Sequence, residues 1–508
     1  MRVWNKRSRA DAAPRRAPLL LWVALAALAP ARAEDPPVAA LKTVRAGDGS
    51  MVQVEAGVLQ VPETRRTRGP RRVGIPWYRL RSTAAGAAPP VFLLAGGPGS
   101  SGIDALGRGE GWREIALYRS FADVVLFDQR GAGHATPQLE CPQTAHYRAS
   151  VPLDRVSLRG MRRDLLAACR DQWRSAGVDL MAYNTIESAA DVDALRRALG
   201  YDRINLVGGS YGSHLGLQVM RLYPETVARA VFHGIEGPDQ TWDDPDGILA
   251  ALRRYDAASQ ALAPRLGLDV PEGGYLASLA RTIARLQEQP VQVTVTRDGK
   301  EATVVIDAEI VRLMARRGGA GGHDHPDAWP RMVLALANGD YSQAAQLALS
   351  ARKLRLQPPM HWSMDCSSGI DAARRERYAR SGAIALLGDL NAEYEDLCDL
   401  WPAREVGGDY RTVTKAPIPT LLFQGTWDVS TPLENAREVA AGLSAARLVT
   451  VEGGNHGVLY NLLGRWPPMQ DTLRRFLSGE DVSLPERVVM PWVPQQPRPA
   501  VSEGKEDG

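Results

Sequence analysis

The sequence predicts an α/β fold: a mainly parallel sheet with helices on both faces. Three observations carry this expectation. Apolar runs at Val91, Val124, Ile204, Ala230, Thr420 and Leu448 alternate with helical patterns, as strands joined by crossover helices do. In one such pattern Val192, Leu195 and Leu199 recur on one face, and Ser188 with Asp191 resembles a capping box at its start. Glycine-rich and polar loops leave the carboxyl ends of several runs, the edge where open α/β sheets place their sites.

Taken in order, the chain opens with a basic head (Arg2, Lys6, Arg7, Arg9, Arg15, Arg16). An apolar core over residues 18–28 follows, and then Ala31-Arg32-Ala33. This is the pattern of a secretory signal peptide cleaved after Ala33, and the core is shorter than the ~20 residues of a spanning helix. Arg15-Arg16 leaves twin-arginine export as a minor alternative, and an uncleaved anchor is the other. The expected destination is the periplasm or the extracellular space, without stable membrane insertion after cleavage. Residues 57–61 and 77–81 read as short opening strands. The net charge of +3 over 508 residues gives no electrostatic reason to expect nucleic acid as a partner.

Gly208-Gly209-Ser210-Tyr211-Gly212 follows the strand-like run 203–207. A G-x-S-x-G stretch between a buried strand and a helix is the nucleophile elbow of α/β-hydrolases, in which glycines let strand and helix approach closely. Downstream, residues 417–423 and 446–451 read as strands, and the loops after them hold Asp428 and His456. The order Ser, Asp, His is that of the hydrolases. His456 would take the Ser210 proton and Asp428 would hold the imidazole tautomer. Read singly, Asp428 could cap the helix near Pro432 and His456 could be a turn residue. The oxyanion of the tetrahedral intermediate needs two N–H donors. Tyr211, after the nucleophile, supplies one; Gly97, in the loop Ala95-Gly96-Gly97-Pro98-Gly99 after the run at Val91, is assigned the other. A phosphate-binding G-x-x-x-x-G-K-[ST] signature is absent, so no nucleotide site is expected.

Ala95-Gly96-Gly97-Pro98-Gly99, Asp128-Gln129-Arg130-Gly131, the elbow and the Asp428/His456 pair together resemble the proline iminopeptidase and tripeptidyl aminopeptidase family of serine exopeptidases. The resemblance covers roughly residues 50–240 and 410–480, and the tyrosine in the elbow is more similar to the secreted tripeptidyl aminopeptidase branch. Ala95 stands where proline iminopeptidases have histidine, and His134-Ala135 where that branch tends to have serine. The resemblance implies a serine peptidase acting on peptides with a free N-terminus. A carboxylesterase or broad small-molecule hydrolase with the same triad is the alternative, since fold does not fix substrate. Asp128 and Arg130, charged beside a buried strand end, read as a structural brace for the site floor.

The four cysteines allow three pairings, and proximity in sequence favours Cys141–Cys169 and Cys366–Cys398 in an oxidising compartment. No C-x-x-C spacing occurs, and His323-Asp324-His325 lies between a glycine run and Pro326. Neither a metal nor an organic cofactor is expected. His214 belongs to the helix behind the elbow. The tryptophans read mostly as core, with Trp427 a possible lining of the pocket.

Between the strands at Ala230 and Thr420 lies an expected insert of 175 residues (236–410), far more than one crossover requires. Helical patterns fill residues 247–266, 276–287 and 330–351, with an interruption expected at Asn338-Gly339. A hairpin is expected over 291–306, turning at Asp298-Gly299. This gives an α/β-hydrolase fold with a large, mostly helical cap inserted after the sixth strand. Its layout is a signal peptide (1–33), a first core part (34–235), the cap (236–410), a second core part (411–490) and a disordered tail (491–508). Glu236, where the cap begins beyond the strand at Ala230, is the candidate anchor for a substrate ammonium group; a solvated loop carboxylate is the alternative.

Overall fold

A computed structural model describes residues 39–490 except 68, 86–87, 298–299, 317–326 and 414. The signal segment, the Asp298-Gly299 turn, His323-Asp324-His325 and the tail from Pro491 lie outside the described residues. Among those described, no helix is long and apolar enough to cross a membrane.

Strands β1 (Ala40–Arg45), β2 (Met51–Pro62), β3 (Arg72–Leu80), β4 (Ala88–Leu94) and β5 (Ala122–Phe127) open the chain. After β6 (Thr144–His146) come β7 (Ile204–Ser210) and β8 (Val227–Ile235). β9 (Val291–Arg297), β10 (Lys300–Ile306) and β11 (Lys353–Arg355) precede β12 (Thr420–Gly425), β13 (Ala446–Glu452) and β14 (Arg487–Val489). Ten of them form one sheet in the order β1-β2-β3-β5-β4-β7-β8-β12-β13-β14. The first four pair antiparallel and the rest parallel. The six apolar runs read from the sequence are β4, β5, β7, β8, β12 and β13. The insert does begin after the sixth strand read there, β8; β1 and β6 add two before it. β1 and β14 were not anticipated, because exposed edge strands carry little apolar signal.

The central parallel strands β4, β5, β7, β8 and β12 are mostly apolar on both sides because both sides are covered. Along β4, Phe92 and Leu94 face one core with Leu206, Phe232, Leu195 and Leu215. Val91 and Leu93 face the other with Val207, Phe423, Ile115, Leu459 and Phe476. The first core is closed by helices Thr185–Ala198 and Tyr211–Leu222, the second by Gly109–Arg119, Val458–Arg465 and Pro468–Leu477. Thr185–Ala198 starts earlier than its expected cap. Asn184 accepts from the Glu187 amide at 3.1 Å, so the first turn is complete before Ser188, which is buried inside the helix.

The segment between β8 and β12 is mostly helical and has its own core around Tyr255, Leu279, Met314, Trp329 and Val333. The pattern over 330–351 is two helices, Ala328–Ala337 and Ser342–Ala351, parted where Gly339 takes φ 82°. β9 and β10 pair antiparallel as a hairpin. Cys141 is joined to Cys169 and Cys366 to Cys398. The second bridge ties helix Pro359–Ser368 to the end of Ala392–Leu397 across 32 residues. Replacing Cys366 and Cys398 together by serine is expected to lower unfolding free energy by about 2–5 kcal/mol, read by urea denaturation. An unchanged midpoint would remove any stabilising role from this bridge.

Candidate active site

Ser210 ends β7 and precedes helix Tyr211–Leu222. Among the described residues it is the one non-glycine residue with positive φ, 57°, a conformation that L-residues with a Cβ adopt only under strain. The flanking glycines make that turn possible. A Cβ at Gly208 would stand 2.7 Å from the Gly212 carbonyl, and one at Gly212 would stand 2.2 Å from the Leu94 oxygen. The elbow is thus pressed against the end of β4, from which residues 95–99 run past the serine; a Cβ at Gly96 would lie 3.2 Å from Ser210 Cβ. Gly97 has φ 117°, closed to other residues without strain. Ser210 makes no capping bond to its helix, so its hydroxyl is not committed there. The amide of Tyr211 lies in the first turn, where N–H groups have no intrahelical partner and the helix dipole favours negative charge.

Asp428 and His456 leave the ends of β12 and β13, two and three strands from Ser210. They meet with Nδ1 of His456 2.9 Å from Oδ2 of Asp428. Asp428 is fully buried, while the His456 side chain is 36% exposed, so the imidazole is open to a substrate and its partner is not. Asp428 also accepts from the Ser430 and Thr431 amides, each at 2.9 Å, the Thr431 hydroxyl at 2.8 Å and Gln424 Nε2 at 2.9 Å. Burial pushes its pKa up, but the His456 charge and these bonds outweigh burial and bring it to about 2. For His456 burial opposes the charged form, and the Asp428 carboxylate raises its pKa above 6.5 nonetheless. The His456 ring sits over β8, since a Cβ at Gly234 would meet its Cε1 at 2.9 Å. Buried Gln424, just beyond the strand read at residues 417–423, connects these parts. Its Oε1 accepts from the Ile235 amide at 2.8 Å while its Nε2 holds Asp428.

Gln129 and Asp128 bond to residues at the start of the glycine loop and just beyond it, and Arg130 braces other elements. Asp128 accepts from Ser101 Oγ (2.8 Å) and the amides of Ile103 (3.1 Å) and His134 (2.8 Å). Gln129 donates to the Ala95 carbonyl at 2.8 Å, fixing the residue from which that loop departs. Arg130, fully buried, is bidentate to Asp191 at 2.7 and 2.8 Å and donates to the Glu63 and Ala182 carbonyls. The His134 side chain turns outward to Asp104.

Glu236 is 8% exposed. Its amide donates to Ser213 Oγ (2.9 Å), which itself donates to the Ser210 carbonyl (2.7 Å). Nδ1 of His214 is 3.5 Å from its carboxylate but closer, at 3.0 Å, to the Gly237 carbonyl. Glu236 Oε1 is left without a hydrogen-bond partner. Burial, then the neighbouring Asp365 and Asp243, push its pKa well above the carboxylate range. Asp365, raised likewise by burial, accepts from Tyr394 at 3.1 Å. It lies on helix Pro359–Ser368, whose Met364 sulfur receives the Tyr211 hydroxyl at 2.8 Å. Trp427 is placed differently from a pocket wall: it is 8% exposed and stacks on Tyr255 at 4.6 Å, which stacks on Trp329. Its large apolar surface is taken up by the insert's core. An open cleft of about 820 Å³ lined by Arg254, Arg437, Arg447 and Glu452 contains none of Ser210, Asp428 and His456.

Comparison with known proteins follows this division of the chain. Residues 89–266, which hold Ser210, Tyr211 and Glu236, match the family model described as alpha/beta hydrolase fold. Residues 386–481, which hold Asp428 and His456, match the one described as TAP-like protein. The chain is 24% identical to the tripeptidyl aminopeptidase of Streptomyces lividans over 74% of its own length and 72% of that protein's. It is 24% identical to the serine protease Hip1 of Mycobacterium tuberculosis, covering 73% of this chain and 75% of that one. Identity to a proline iminopeptidase of Xylella fastidiosa is 31%, over 34% of this chain and 45% of that protein. With its sheet order, its elbow and both family matches, the chain has an α/β-hydrolase fold whose carboxyl-terminal part is similar to the TAP-like protein model.

Proposed function

We propose that this protein is an exported serine exopeptidase that removes residues or short peptides from peptide N-termini through an acyl-enzyme on Ser210. His456 takes the serine proton as the hydroxyl attacks the scissile carbonyl, and the amides of Tyr211 and Gly97 receive the oxyanion. The imidazolium gives its proton to the leaving amine. Water, deprotonated by the same histidine, then releases the acyl group. Export through the segment 1–33 agrees with two disulfides, which persist in oxidising compartments. The relatives named as peptidases lend the substrate class.

The observation that carries the peptidase reading over the esterase reading is the buried Glu236, whose Oε1 has no hydrogen-bond partner and whose backbone amide is two hydrogen bonds from the Ser210 carbonyl. A buried carboxyl in that state is costly, and a cationic N-terminus would relieve it. Asp365 and Asp243 push its pKa further up, so an entering ammonium group is what would make this carboxyl ionise. Glu236→Gln keeps the shape and removes the group that could ionise against a substrate ammonium. It is expected to lower kcat/KM for anilides with a free N-terminus by about 10- to 100-fold, of the order of one lost charge-assisted bond, and to leave simple ester turnover within two-fold. Equal losses on both substrates, or none, would remove Glu236 from the anchor role.

A further inference from the structure

A second histidine stands against the Ser210 turn. His233 lies on β8, opposite Gly209 of β7 and Phe423 of β12, and is 6% exposed. Its ring covers Gly209: a Cβ there would be 2.2 Å from Cε1 and 2.4 Å from Nε2. Residue 209 must therefore be glycine for a reason unrelated to the turn itself. The next residue of the same strand, Gly234, has φ 53° and carries the His456 ring. Consecutive positions of one strand end thus seat two imidazoles, one against the residue before the nucleophile and one being the proposed base.

The surroundings of His233 are set by three elements. From helix Val458–Arg465, Tyr460 meets the ring edge-on at 5.4 Å. The Tyr460 hydroxyl bonds to Glu114 of helix Gly109–Arg119, a buried carboxyl that also accepts from Tyr118 at 3.1 Å and whose pKa burial raises to about 7. From the loops after β12 and β13, Asp428, His456 and the His456 backbone all act on the ring electrostatically. Nδ1 is buried with no hydrogen-bond partner. Burial first, then the His456 charge, bring the His233 pKa down to about 4.

We propose that His233 is a positioning residue: its neutral ring seats the Gly209-Ser210 turn and, through the His456 backbone, holds the loop of the general base in register with the nucleophile. This rests on the triad reading above. A protonated ring would fail in that role, because a second cation would oppose the imidazolium that forms on His456 during attack. Folding lowers this pKa from 6.5. The stabilisation tied to the neutral ring is therefore complete above that value and is lost as pH falls through about 4.

The test is the acid limb of kcat/KM, measured on an aminoacyl anilide. The wild-type limb is expected to fall with slope one as His456 protonates and to steepen toward two near pH 4, as His233 takes its proton. In His233→Phe the slope should stay at one, with kcat lower by about 10²-fold, the scale of a misplaced catalytic group, and KM within two-fold. A variant with wild-type kcat and the same steepening would overturn the proposal. So would a wild-type His233 Cε1 proton titrating near pH 6.5 by NMR, a measurement that does not depend on the variant folding. Fluorophosphonate labelling separates the two readings. Absence of labelling at Ser210 in the wild type sinks the triad, whereas labelling together with an indifferent His233→Phe sinks only the positioning role.

Discussion

Ser210→Ala is expected to abolish hydrolysis of peptide anilides and of esters alike, with kcat lower by roughly 10⁶-fold, the scale seen when the nucleophile of such a triad is removed. The expectation comes from the backbone. A serine at φ 57°, with glycine contacts on both sides that no Cβ would survive, is held in a strained turn of the kind that would present Oγ at the sheet edge if Ser210 is the proposed nucleophile. Alanine carries the same Cβ, so the fold should persist and thermal unfolding should be unchanged within a few degrees. Rates on both substrates near the wild-type value, with no loss of fluorophosphonate labelling, would show that the nucleophile lies elsewhere.

Asp428→Asn is expected to cost roughly 10⁴-fold in kcat with the protein still folded, as when the buried aspartate of a Ser-His-Asp triad loses its charge. In the proposed triad the carboxylate accepts a hydrogen bond from His456 Nδ1–H, 2.9 Å away, which would leave the Nε2 lone pair for Ser210. An amide can offer its own N–H to Nδ1 instead and so stabilise the wrong tautomer. The variant also tests the pH dependence. In the wild type Asp428 raises the His456 pKa against the effect of burial, so the acid limb of kcat/KM should begin above pH 6.5 and should move to lower pH in the variant. The Asp428 pKa shifts the other way, since folding depresses it from 3.8 to about 2. Its contribution to stability is present above the unfolded value and is lost as pH falls through about 2. A residual rate within ten-fold of wild type, or an acid limb that does not move, would remove Asp428 from the triad.

Much of this was legible in the sequence because it is written in local patterns. The six apolar runs became the six central parallel strands, since a strand buried on both faces must be apolar throughout. The elbow glycines were legible because the close approach of β7 to its helix tolerates no Cβ at Gly208 or Gly212. The loops carrying Asp428 and His456 could be placed on the sheet edge from strand direction alone. Strands β1 and β14 were not legible: they lie at exposed edges and bury too little to select apolar residues.

What only the tertiary structure decided are relations between residues far apart in the chain. Gln424 looks like any strand residue until β8 brings the Ile235 amide to its carbonyl oxygen and Asp428 to its nitrogen. Trp427, adjacent to the proposed acid, is drawn into the insert by the ring of Tyr255, because stacking buries more apolar surface than a cleft wall would. Glu236 has equally acidic neighbours in sequence, and folding distinguishes it. Asp239 is paired with Arg374 at 2.8 Å and Asp244 caps helix Pro245–Leu266, while Glu236 keeps a carboxyl oxygen with no hydrogen bond beside the nucleophile turn. Local sequence determines the strands, the turns and the order of the reacting groups, since these depend on steric fit and burial over a few residues. Which carboxyl is buried without a partner, and which histidine stays neutral, depends on the field of groups that only long-range packing brings together.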